Sequence, residues 1–176
     1  DLSPSHWFSR VPGYLQALII GTVAVQATPT LSHVTPAVIQ VDGHGCFAPL
    51  AQAIGLPVLT EATATIGIAA LSLVGVHHFA ALWPETEYLA DRGFVGIACT
   101  AYMPSVAPAG SNEALFGTNP LSLAGPRRGH NRVAMVLAPG PMAWGKWRTA
   151  EGDGGKAPIG TGVGVMVELR RVGAAM

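Results

Sequence analysis

The sequence predicts an α/β domain built on a mixed sheet, and three observations carry that prediction. Two apolar runs poor in charge, Ile66 to Val76 and Phe94 to Thr100, flank a segment that opens on Pro84-Glu85-Thr86-Glu87 and closes on Arg92-Gly93. Proline and acids at the start, then a basic residue and a glycine at the end, are helix start and stop signals, so the stretch reads strand, helix, strand, the unit of a parallel pair. Farther on, Leu121-Ser122-Leu123-Ala124 and Arg132 to Leu137 read as strands around the polar turn Arg127-Arg128-Gly129-His130-Asn131, a hairpin. The 22 glycines and 14 prolines are separated by apolar blocks, which marks a turn-dense folded chain rather than a low-complexity one.

The remaining elements follow in chain order. Ser3-Pro4-Ser5 supplies a cap and a proline at a helix start, and the helix runs through His6-Trp7-Phe8-Ser9-Arg10 until Pro12-Gly13 breaks it. Tyr14 to Ile20 is a second short helix ending at Gly21, Val38 to Asp42 alternates like a strand closed by the turn Gly43-His44-Gly45, and Phe47 to Leu56 is weakly helical. The run from Ile66 to Val76 has the uncharged character of a strand covered on both faces, and Phe94 to Thr100 is a second buried strand. Val163 to Val172 reads as a closing helix.

At 176 residues the chain is expected to form a single domain spanning 1–176. Ten basic residues balance ten acidic ones, so no basic field exists to hold a nucleic-acid backbone or an anionic membrane surface. Charged residues are only 11% and hydrophobic ones 49%, a composition that suits association with another subunit. The apolar stretch from Ala64 to Leu82 is interrupted by Gly67, Gly75 and the pair His77-His78, and reads as a strand entering a functional turn rather than a membrane span. The N-terminal residues lack the basic-then-apolar pattern of a secretory signal, and Cys46 and Cys99 make neither a disulfide framework nor a zinc set, so a cytoplasmic setting is expected.

Three places can carry chemistry. His6 and Arg10 are four apart on the proposed first helix and share a face, where Arg10 can clamp a carboxylate and His6 can move a proton, with Ser5 orienting the imidazole. The same spacing also fits a surface arginine beside a capping serine and an uninvolved histidine. His77-His78-Phe79 follows an apolar strand, where ligand loops of α/β proteins gather, although adjacent strand histidines point to opposite sides and either can be a satisfied core residue. Phe116-Gly117-Thr118-Asn119-Pro120 is a turn whose amides and Thr118 hydroxyl can bind an anion, or simply a loop. No metal site is expected, because the histidines have no ligand-like spacing, and neither a dinucleotide G-x-G-x-x-G nor a P-loop is present.

Ser5-His6 with Arg10, Gln26-Ala27-Thr28-Pro29, Val41-Asp42-Gly43, the run His77 to Pro84 and Leu115-Phe116-Gly117-Thr118-Asn119-Pro120 occur in an order that resembles the malate/L-lactate dehydrogenase family, whose NAD(P)-binding fold is not a Rossmann fold. Within it, the His77 to Pro84 stretch and the opening Ser-His with Arg are most similar to the Δ1-piperideine-2-carboxylate/Δ1-pyrroline-2-carboxylate reductases. The resemblance implies an incomplete version of that fold in a chain about half a family length. It also implies reduction of a cyclic imine carboxylate with NADPH, or NADH, by a homodimer with its site near the subunit interface. By matching motif it implies His6 as acid/base, Ser5 as its partner, Arg10 as carboxylate anchor, Thr118 as a substrate contact, and His78, Phe79, Ala80, Ala81 and Leu82 as cofactor contacts. Two further readings stay open. Lys146 in Ala143-Trp144-Gly145-Lys146 is closer to the broader 2-hydroxy acid dehydrogenase pattern. Val136, at a position where the family carries an acid, and the missing Gly-His-Lys-Gly motif fit an inactive relative that binds or assembles.

Overall fold

The computed structural model describes residues 11–77, 81–102, 104–111, 113–139 and 165–170, with positions 138, 139 and 165–170 described by backbone alone. The described residues fall into two compact units, one running up to His77 and one from Ala81 onward.

The first unit opens with α1 (Val11–Ile19), continues through β1 (Thr30–Thr35), β2 (Val38–Phe47) and α2 (Ala48–Ile66), and closes on β3 (Ala70–His77). Its sheet has the order β1-β2-β3, antiparallel between β1 and β2 and parallel between β2 and β3. Two parallel neighbours need a crossover, and α2 supplies it. Residues 39, 41, 43 and 46 of β2 are buried, and Val41, Cys46 and Ala51 form a core against which Leu31, Leu71, Leu73 and Val76 pack. Gly55 is the contact point of α2, since a Cβ there would come within 2.8 Å of the Leu71 side chain.

The second unit contains α3 (Trp83–Ala90), β4 (Gly96–Cys99), β5 (Leu121–Arg127), β6 (His130–Pro139) and β7 (Val165–Arg170). Its four strands form an antiparallel sheet in the order β4-β5-β6-β7. Helix α3 lies on one face, where Ala90, Ala124 and Ala134 pack into a small core. Small residues allow this approach: at Gly96 a Cβ would stand 3.0 Å from Leu89 and 3.1 Å from the Thr86 backbone. Among the described residues no helix is long and apolar enough to cross a membrane.

An α/β fold with a mixed sheet is what the sequence predicts, and the β5–β6 hairpin and α3 stand where its signals put them. Five details differ. The helix predicted before Pro12-Gly13 lies outside the described residues, and the one predicted from Tyr14 begins at Val11, with Pro12-Gly13 in its first turn, where proline lacks only an N–H that has no helical partner anyway. Gly43-His44-Gly45 does not close a strand, because β2 carries these residues as a bulge opposite Gly75 and continues to Phe47. Helix α2 runs ten residues past Leu56, through Pro57, because Leu59 is buried, and the hydroxyls of Thr60 and Thr63 find acceptors in the carbonyls of Leu56 and Leu59. The strand predicted from Ile66 begins at Ala70 and is half-exposed along an edge, and β4 lies in the other sheet, so β3, α3 and β4 are not a parallel unit. The parallel unit is β2, α2 and β3. Finally, the predicted closing helix from Val163 is strand β7, where Val165 and Val167 favour an edge of the sheet beside β6. Strand β1, polar and mostly exposed, carries no alternation that announces it.

Candidate active site

Of the residues singled out from sequence, Ser5, His6, Arg10, His78, Phe79 and Ala80 lie outside the described residues. Ala81, Leu82 and Thr118 are described, all in the second unit.

In the first unit, β2 and β3 end together at the register pair Phe47 and His77, directly before position 78. The carboxyl ends of parallel strands are where ligand sites of α/β proteins form. Phe47 packs its ring edge-on against His77 at 5.8 Å and against Tyr14 of α1 at 5.3 Å, which fastens the helix that follows Arg10 to the strand that precedes His78. Next to this end, the β2 bulge is held by hydrogen bonds around Asp42 and His44. Asp42 Oδ1 accepts the His44 backbone N–H at 2.9 Å and lies 3.5 Å from His44 Nδ1, while His44 Nε2 meets Thr30 Oγ1 at 3.0 Å. His44 takes a positive φ of 49°, and Asp42 leans over Gly75, where a Cβ would stand 2.7 Å from its carboxylate.

In the second unit, Leu82 is buried and forms the N-cap of α3 without a side-chain cap hydrogen bond, and Ala81 beside it is half-buried. The helix they lead into is anchored twice. Thr86 and Ser122 are fully buried and share a hydroxyl–hydroxyl bond of 2.8 Å, and Thr86 Oγ1 also donates to the Trp83 carbonyl at 3.1 Å. At the next residue, Glu87 Oε2 receives Arg132 Nη2 at 2.7 Å, and Arg132 Nη1 reaches Asp91 Oδ1 at 2.5 Å. Hydrogen bonding to Glu87, then the charges of Glu87 and Asp91, raise the guanidinium pKa above its ordinary range against the opposing effect of burial.

Thr118 sits in the loop entering β5. Gly117 is obligatory there, since any Cβ would collide with the Tyr102 carbonyl, and Asn119 Oδ1 accepts the Tyr102 backbone N–H at 3.0 Å with φ at 34°. The loop is thus latched while the half-buried Thr118 hydroxyl makes no hydrogen bond among the described residues. Leu82 and Thr118 are connected through the Thr86–Ser122 bond, each four residues from its end of that bond. The sequence reading missed Thr86, Ser122, Glu87 and Arg132 as site-building residues, and only the carboxylate pair at the start of α3 hinted at a basic partner. Among the described residues no three His, Cys, Asp or Glu side chains converge to hold a metal ion.

The family described as malate/L-lactate dehydrogenase matches residues 3–166. A Δ1-pyrroline-2-carboxylate/Δ1-piperideine-2-carboxylate reductase of Pseudomonas syringae pv. tomato is 38% identical over 163 residues, 93% of this chain and 48% of that protein. A Δ1-pyrroline-2-carboxylate reductase of Burkholderia multivorans is 44% identical over 145 residues, 82% of this chain and 43% of the relative. The crystal structure of Δ1-piperideine-2-carboxylate reductase from Pseudomonas syringae superposes with a TM-score of 0.81 and 37% identity, covering 89% of this chain and 47% of that one. The chain spans about half the length of the curated relatives it matches.

Proposed function

The chain belongs to the malate/L-lactate dehydrogenase family, and we propose from that membership that it serves the NADPH-dependent reduction of a cyclic imine carboxylate, Δ1-piperideine-2-carboxylate or Δ1-pyrroline-2-carboxylate, to L-pipecolate or L-proline. The observation that carries this reading is the match over residues 3–166, which takes in every nominated site residue, together with identities of 38% and 44% to relatives named for these imines.

The reduction adds a hydride to the imine carbon and a proton to the nitrogen, and the nicotinamide supplies the hydride when bound. Arg10 grips the substrate carboxylate with its fork of donors, His6 keeps a proton at the imine nitrogen, Ser5 fixes the imidazole, and Thr118 supplies a second polar contact. His78, Phe79, Ala80, Ala81 and Leu82 line the cofactor. The low charge of the chain supports a homodimer.

A second reading, reduction of a 2-keto acid, is favoured by Lys146. Initial rates with the cyclic imine, pyruvate and oxaloacetate, compared side by side with NADPH, distinguish the two. Preference for the imine supports the first reading, and preference for a keto acid replaces it with the second.

A further inference from the structure

We propose that Thr86 and Ser122 are a positioning pair that holds the predicted cofactor contact Leu82 and the predicted substrate contact Thr118 in register. The inference rests on the functional reading above only for the roles of those two ends. The link between them is geometric and stands on described residues alone.

The hydroxyl of Thr86 has one proton, and it is placed on the Trp83 carbonyl at 3.1 Å. Ser122 must then be the donor in the 2.8 Å bond between the two hydroxyls. This gives a directed chain: Ser122 donates to Thr86, and Thr86 donates to the carbonyl of Trp83, the residue after Leu82. Both side chains are fully buried, so bulk water does not compete for either hydroxyl. The chain therefore ties the start of β5 to the first turn of α3.

Each end of this chain carries one nominated contact. On the helix side, Leu82 is the buried N-cap of α3 and directly precedes Trp83, whose carbonyl Thr86 holds. On the strand side, β5 begins at Leu121, and the lead-in through Thr118, Asn119 and Pro120 is rigid. Asn119 is latched to Tyr102, and the Pro120 carbonyl accepts the Thr100 N–H at 3.3 Å. Thr118 and Ser122 therefore belong to one stiff segment. The Arg132–Glu87 pair ties α3 to β6 rather than to β5, so it fixes the helix without connecting the two contacts.

The test is amide hydrogen exchange on the full chain, comparing Thr86→Val, Ser122→Ala and Thr86→Ser, with NADPH affinity and imine KM measured on the same samples. Thr86→Val keeps the shape and removes the relay, whereas Thr86→Ser keeps the relay. The expected result is exchange about ten-fold faster at both Leu82–Trp83 and Thr118–Asn119 in Thr86→Val and Ser122→Ala, with Thr86→Ser like the parent and the first unit unchanged. Alongside it, the KM for the imine and the dissociation constant for NADPH rise together more than kcat falls. Faster exchange confined to Leu82–Trp83, uniform loosening of the second unit, or loss of protection in Thr86→Ser overturns the proposal. If the parent chain neither binds nor consumes NADPH, the functional reading fails, while the exchange coupling still decides the positioning claim.

Discussion

Glu87 Oε2 and Arg132 Nη2 stand 2.7 Å apart, with the Glu87 side chain 7% and the Arg132 side chain 22% exposed, so a nearly buried carboxylate depends on one guanidinium from β6. Removing one member of such a pair leaves an uncompensated buried charge, and Arg132→Met is expected to cost about 3 kcal/mol. Asp91 is half-exposed, and Asp91→Asn is expected to cost less than about 1 kcal/mol. Urea unfolding of both variants gives the comparison, and equal costs would show that Glu87 is not the partner that matters.

The same pair has a signed pH dependence. The folded pKa of Arg132 is raised, so its stabilising contribution is fully present below the ordinary guanidinium range and is lost only as pH rises through the higher folded value. The stability difference between the parent chain and Arg132→Lys is therefore expected to show no alkaline loss attributable to Arg132 across the neutral range. A difference that shrinks between neutral and mildly alkaline pH contradicts the assignment.

Gly75 and Gly67 both have positive φ, at 59° and 93°, but only Gly75 faces a neighbour, the Asp42 carboxylate. Alanine at either position carries a backbone cost of roughly 1–2 kcal/mol. Gly75→Ala must in addition displace Asp42 from the His44 N–H, so thermal unfolding should show it to be clearly the more damaging of the two. Equal losses would mean that the bulge is not held by Asp42.

Asn119→Ala removes the acceptor of the Tyr102 N–H and releases the loop that carries Thr118. The expected result is a KM for the imine raised about five-fold, the worth of one hydrogen bond, with NADPH affinity unchanged. A matching fall in NADPH affinity would place the latch at the cofactor instead.

These residues also mark what could be read from the sequence. Helix α3 and the β5–β6 hairpin were legible because Pro84, Glu85, Gly93 and Arg128-Gly129 are local signals, and local signals survive folding. Sheet membership was not: the β3, α3, β4 order implies a parallel pair only when both strands share a sheet, and Gly96 and Ala98 pair with β5 instead. Helix α2 extends over Pro57 because the burial of Leu59 outweighs a propensity that sequence alone would respect. In the candidate site, Leu82 and Thr118 are nominated through motif order alone, whereas Thr86 and Ser122, 36 residues apart, share no spacing signal that would pair two ordinary hydroxyls.

We propose that this chain reduces a cyclic imine carboxylate through the Ser5, His6 and Arg10 segment. NADPH consumption with Δ1-piperideine-2-carboxylate, measured for the parent chain and for His6→Ala in protein shown to be folded, tests it most directly. Saturable turnover that disappears in His6→Ala is the predicted result. Absence of turnover in the folded parent chain, or turnover that persists in His6→Ala, contradicts the account.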